Sequence, residues 1–133
     1  MSPEANVLAL HRMERAEAAR QEGDLLADQA AHRGAVNRYY YAAFHAARAL
    51  LATRNVDSAR HAGVIALFQQ HFVKSGEFPT EVARALPRSF EKRLSSDYSD
   101  FVDISAAEAA RVRAEVHAFV EACRELLAKV HPN

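Results

Sequence analysis

The stretch SAAEAARVRAEVHAFVEACRELLAKV, residues 105–130, decides the fold class. Its opening Ser105-Ala106-Ala107-Glu108 is a capping box: the serine hydroxyl covers one free backbone N–H of a helix start, and the glutamate reaches back to another. Val112, Val116, Phe119, Val120, Cys123, Leu126, Leu127 and Val130 then recur at three- and four-residue intervals, which draws one continuous apolar face along a helix. Such a face must be buried against another element, and the rest of the chain supplies only more helices.

Upstream, Pro79-Thr80 opens a helix that carries Val82, Leu86, Phe90 and Leu94, and Pro87 inside it predicts a kink or a restart. Before it, a helix after Ser58 carries Val64, Ile65, Phe68 and Phe72 and stops at Lys74-Ser75-Gly76. Residues from about Gly34 to Thr53 place Val36, Tyr40, Ala43, Ala47, Leu50 and Leu51 on one face. The first helix follows Ser2-Pro3, a cap and a first-turn proline, and runs to about Ala30 with a narrow stripe of Ala9, Met13, Ala16, Ala19, Gly23 and Leu26. Short connections make neighbours antiparallel. The expected architecture is therefore all-α: an up-and-down antiparallel bundle of four to five helices, in one domain over residues 1–133.

Composition agrees. Alanine supplies 28 of the 133 residues, against 4 Gly and 4 Pro, and alanine is the best helix former. No apolar run approaches the ~20 residues a membrane span needs. The charged N-terminal stretch excludes a secretory signal, and a single cysteine excludes an internal disulfide, so a cytoplasmic protein is expected. Neither a phosphate-binding glycine loop nor a Cys/His or HExxH metal spacing occurs, so no cofactor and no metal is expected. Cys123, on the apolar stripe, reads as core.

Charge balances overall but not locally. Residues 1–31 hold 3 basic and 6 acidic side chains, residues 32–93 hold 10 and 4, and residues 94–133 hold 4 and 7. The cationic middle fits an anionic partner, or arginines that pair with the acidic ends within the fold. Three consecutive tyrosines, Tyr39 to Tyr41, span about 200° of helix surface, so at least one must face a groove, a partner or solvent. Asn37, Tyr41 and His45 share a face, with Arg38 one step round, and could line a site for a phosphate-bearing ligand. Buried hydroxyls and a dimer interface are the plainer reading of Tyr39 and Tyr40. Arg93 and Asp97 stand four apart and can pair, and Arg84, Arg88 and Lys92 add a basic stripe to the same helix. His61 opens its helix beside Arg60, where a partly buried structural histidine is the commoner outcome.

The string AVNRYYYAAFHAARALL (35–51), His61-Ala62-Gly63, FVKSGEFP (72–79) and RLSSDYSDF (93–101) together resemble the HEPN superfamily, most closely its small bacterial and archaeal members with a helix-2 tyrosine pair and an Arg-x-x-x-Asp-Tyr ending. The resemblance covers nearly the whole chain. It implies a helical bundle that forms a homodimer, and pairing with a nucleotidyltransferase in toxin–antitoxin fashion. In active members it also implies a metal-independent RNase site, built from an arginine followed four to six residues later by a histidine, which uses the ribose 2′-OH as nucleophile. Here Arg93 matches the arginine, Tyr98 stands at the histidine position and Leu94 follows the arginine. Some such pairs adenylylate a tyrosine near this motif, and Tyr98 is the nearest equivalent. Two readings follow. One is a binding module that takes nucleotide or RNA through a cationic cleft of Asn37, Arg38, Tyr41, His61, Asp97 and Tyr98. The other is an RNase in which Arg93 works with a displaced histidine, His45 or His61.

Overall fold

The computed structural model describes residues 2–101 and 103–130. Helix α1 spans Pro3–Asp28, capped by the Ser2 hydroxyl, which accepts from the Ala5 N–H at 3.1 Å. It stops short of the expected Ala30 because Ala30 adopts a left-handed conformation, φ 58°, that reverses the chain. Helix α2 runs His32–Ala52. Helix α3, His61–Phe68, leads directly into a π-helical turn, Gln69–Val73, and the expected stop follows at Gly76, φ +82°. Arg54 ties this wide turn down: it donates to the His71 carbonyl (3.2 Å), forks onto Glu77 (2.8 and 2.7 Å) and lies 4.5 Å over the Phe72 ring.

The expected fourth helix restarts rather than bends. It divides into α4, Thr80–Ala83, and α5, Ala85–Tyr98. Pro87 is the third residue of α5, where an N–H has no helical acceptor to lose. Helix α6, Ala106–Val130, follows the predicted capping box. The Ser105 hydroxyl accepts from Glu108 N–H at 3.1 Å, and the Ser105 N–H reaches the Glu108 carboxylate at 3.4 Å.

Cross-helix bonds set the directions. Arg12 meets the Arg48 carbonyl and Asp24 meets Tyr39, so α1 and α2 are antiparallel. Glu17 meets Arg124, Asp24 meets His117 and Asp28 meets Arg113, so α1 and α6 are antiparallel. Arg88 meets Glu115 and Lys92 meets Glu108, which makes α5 antiparallel to α6. The four long helices form an up-and-down bundle, with α3, the π-turn and α4 as the crossover. Among the described residues no helix is long and apolar enough to cross a membrane.

Two kinds of packing hold it. Along α1 and α2 the seam is alanine: Ala9, Ala16 and Ala19 face Ala35, Ala42, Ala43, Ala46 and Ala49, all buried. Gly23 belongs to this seam because a Cβ there would stand 2.7 Å from the Tyr39 ring. Where the crossover meets α6 the core is aromatic, with Phe68, Phe72, Phe78 and Phe119 at centroid distances of 5.1–5.4 Å. Each such ring contributes about 1.5–3 kcal/mol through burial. Cys123 is fully buried, and burial raises its thiol pKa, so it is an inert core residue as expected.

Candidate functional site

The tyrosine triplet divides three ways. Tyr39 turns toward α1 and its hydroxyl donates to Asp24 at 2.5 Å. Tyr40 turns toward α3 and α5, and its hydroxyl lies 2.5 Å from Nδ1 of His61. Tyr41 remains partly exposed, and so it is the tyrosine that faces outward. Tyr39 and Tyr40 are core residues, as their plainer reading holds, but each also fixes a polar partner.

Around Tyr40 and Tyr41 the structure assembles a cluster from three helices. Helix α2 gives Tyr40, Tyr41 and Phe44, α3 gives His61, and α5 gives Phe90, Arg93 and Asp97. His61 stacks on Phe44 (4.5 Å) and lies nearly parallel to Phe90 (5.9 Å, 9°). The Arg93 guanidinium lies 5.4 Å from the Tyr40 ring centre and 5.3 Å from that of Tyr41, and its Nε donates to Asp97 at 3.1 Å. Its side chain is only 15 % exposed. An arginine so placed rests on two ring faces and is steered by a carboxylate, which leaves a guanidinium of fixed position. His61 is held toward its neutral form by burial first, then by Arg93 and Arg48. A neutral imidazole whose Nδ1 meets a phenol has its other nitrogen available for proton transfer or ligand contact.

The other predicted residues are distributed unevenly. Arg38 joins the edge of the cluster, 4.9 Å from the Tyr41 ring, and donates twice to the Asn37 side chain beside it (3.2 and 2.9 Å). His45 lies 6.0 Å from Tyr41, is only 9 % exposed, and its Nδ1 has no hydrogen-bond partner among the described residues. Burial, then the guanidiniums of Arg15, Arg48, Arg38 and Arg12, lower its pKa to about 4. His45 is therefore neutral and shielded, a poorer candidate than His61 for proton exchange with a ligand. Tyr98 is 79 % exposed at the end of α5 and takes no part in the ring contacts, and Phe101 beyond it is 99 % exposed.

The basic residues at and along the start of α5 meet carboxylates, although Arg84 and Arg88 stay half exposed to solvent. Arg84 pairs with Glu81, Arg88 with Glu115 and Lys92 with Glu108. The cationic middle is therefore partly neutralised by the acidic C-terminal part, and Arg93 alone of this group joins the aromatic cluster. Sequence reasoning missed Phe44 and Phe90 and undervalued Tyr40. The four-residue spacing of Tyr40 and Phe44 on α2 was the available signal, but it names no partner from another helix. Among the described residues no three His, Cys, Asp or Glu side chains gather as a metal site requires.

Comparison with known proteins follows the same outline. The HEPN-domain family profile matches residues 9–126. A UPF0332 protein of Gloeobacter violaceus is 36% identical over 130 residues, covering 97% of this chain and 100% of the relative. A UPF0332 protein of Thermotoga maritima is 33% identical over 103 residues, 77% of each chain. A protein of Methanocaldococcus jannaschii, provisionally named a toxin, is 34% identical over 106 residues, 80% of this chain and 78% of its own. The match spans α1 to α6 and contains every residue of the cluster. The chain belongs to the HEPN-domain family.

Proposed function

We propose that this protein is the HEPN component of a toxin–antitoxin-type pair with a nucleotidyltransferase, and that it binds the phosphate of a nucleotide or RNA at the Arg93 cluster. The observation that carries this is the placement of Arg93: a charged guanidinium held on Tyr40 and Tyr41 by Asp97, beside a neutral His61. Arginine's fork matches phosphate oxygens, and the partly exposed Tyr41 offers a ring on which a base can stack. The provisional naming of two relatives as toxins supports the cellular setting. Homodimerisation and a cytoplasmic location belong to the same reading.

A second reading is favoured by the His61–Tyr40 bond. In it the protein is a metal-independent endoribonuclease. The 2′-oxygen attacks the adjacent phosphorus and loses its proton to a base, the 5′-oxygen leaves with a proton from an acid, and Arg93 stabilises the phosphorane charge. His61, rather than His45 or Tyr98, is then the proton-transfer group.

The test is binding and cleavage of a labelled RNA by purified protein in EDTA. Under the first reading Arg93→Ala weakens binding by about tenfold or more and no cleavage is seen. Under the second, wild-type protein cleaves, and Arg93→Ala and His61→Ala each abolish cleavage. Equal RNA and nucleotide binding by wild type and Arg93→Ala, with no cleavage by either, defeats both.

A further inference from the structure

We infer that the outer face of α1 is the interface with a second copy of this chain, the two α1 helices packing antiparallel about a two-fold axis level with Ala16. This rests on the homodimer of the proposed function and adds to it a surface and a register.

Helix α1 is apolar on two sides. Ala9, Met13, Ala16 and Ala19 are buried toward the rest of the bundle. Val7, Leu8, Leu10 and Leu25 are exposed, Val7 and Leu25 by more than two-thirds. They are four of the seven large hydrophobic side chains exposed among the described residues, and the other three sit at the last residue of a helix or in the α5–α6 connection. A helix with apolar residues on opposite sides is one that packs on both.

The outer face carries its own complement. Glu4, Val7, Leu8 and His11, at i, i+3, i+4 and i+7, frame a surface hollow together with Pro3. In helix pairs such a diamond is the hole that receives one knob from the facing helix. Leu25 is the knob. With a second α1 laid antiparallel and Leu25 seated in that hole, the rest of the face falls into step. Ala18, one heptad before Leu25, enters the diamond of residues 11, 14, 15 and 18, and His11, a heptad earlier still, enters that of residues 18, 21, 22 and 25. The three knobs drift by only about 20° per heptad, so they stay on one side of the helix. His11, Glu14, Arg15, Ala18, Gln21 and Glu22 are all exposed, so nothing in the fold covers this face. Every contact occurs twice, because the partner's Leu25 fills this copy's hollow in return, as a two-fold interface requires.

The side chains select this register. Ala18 lies nearest the axis, where a methyl group allows close approach of the backbones. Arg15 reaches the partner's Glu22, just over one turn along, and His11 meets the same carboxylate from the knob row. Shifted by one heptad, Leu25 would meet His11, Glu14 and Arg15 and would leave Val7 and Leu8 in water. The Arg93 cluster draws on α2, α3 and α5 and gives no residue to this interface.

Sedimentation of the full chain measures the association. Wild type should be a dimer. Leu25→Glu should raise the dimer Kd by about tenfold or more and keep the wild-type circular dichroism spectrum, since the side chain is exposed within one copy. Arg15→Glu and Glu22→Arg should each weaken the dimer, and the two together should restore it. Ala18→Cys should join to its twin through a short bismaleimide, the two positions being about 5 Å apart along the axis, whereas Glu4→Cys should not, with about 37 Å between its copies. Cys123 is fully buried and leaves the reagent to the introduced thiol. Arg93→Ala should dimerise like wild type. A monomeric wild type overturns both this surface and the homodimer of the proposed function. A dimer that Leu25→Glu leaves equally tight, that Arg93→Ala dissociates, or in which Glu4→Cys cross-links in place of Ala18→Cys, overturns this surface and leaves the homodimer standing.

Discussion

Tyr40 and His61, 21 positions apart in sequence, meet at 2.5 Å between the phenol hydroxyl and imidazole Nδ1, inside a shell formed by Phe44 and Phe90. The bond fixes which face of His61 turns away from the core. Tyr40→Phe keeps the ring packing and removes only that bond. It should cost about 1 kcal/mol by urea denaturation, and imidazole nitrogen chemical shifts should show His61 losing its fixed tautomer. Unchanged shifts would mean that ring stacking alone orients His61.

Gly23→Ala should destabilise the protein despite the better helix propensity of alanine. Propensity favours the change by about 1 kcal/mol, but the new Cβ would stand 2.7 Å from a Tyr39 ring that is fully buried and bonded to Asp24. Overpacking of this kind costs about 1–3 kcal/mol, so a net loss is expected in chemical denaturation. A stabilised variant would show that the Tyr39 ring can move aside freely.

Ala30→Gly should do the opposite. Ala30 sits at φ 58°, where its Cβ is strained and glycine is not. After allowing for the greater freedom of glycine in the unfolded chain, a gain of about 0.5–1 kcal/mol is expected, readable as a higher urea midpoint with an unchanged slope.

Acid should weaken the fold in a defined window. His45 takes a proton near pH 6.5 when unfolded but only near 4 in the fold, and His61 is lowered in the same direction. A histidine lowered on folding contributes stability that is complete above about pH 6.5 and is lost as pH falls toward 4. The His45 share is on the order of 1–3 kcal/mol. His45→Gln should flatten, though not abolish, the fall in stability between pH 6.5 and 4. An equally steep fall in the variant would place the effect elsewhere. Asp57, lowered to about 2 by its hydrogen bond to Arg48, adds its own loss only below that window.

Local signals were read correctly where one or two residues decide them. The Ser105–Glu108 box, the Ser2-Pro3 start, the Gly76 stop and the restart just ahead of Pro87 all concern backbone groups satisfied or denied within a few residues. The alanine and valine stripes were legible because helical period translates directly into a face. The site was only half legible. Arg93 with Asp97 could be read from spacing, but the His61–Tyr40 bond and the Phe90 contact depend on which helix crosses which. The pairing of Arg88 and Lys92 to α6 carboxylates is likewise a fact of register between helices, and no spacing along α5 discloses it. The π-helical turn left no local mark, since Arg54, which secures it, comes from the turn that follows α2.

The alanine seam between α1 and α2 has a mechanical consequence. Methyl groups have no rotamers to exchange, and helices that close leave no slack for sliding or rocking, so the pair acts as one stiff strut. Tyr40 and Tyr41 ride on that strut, so the two rings that carry the Arg93 guanidinium keep a fixed spacing and move only as one body with α1.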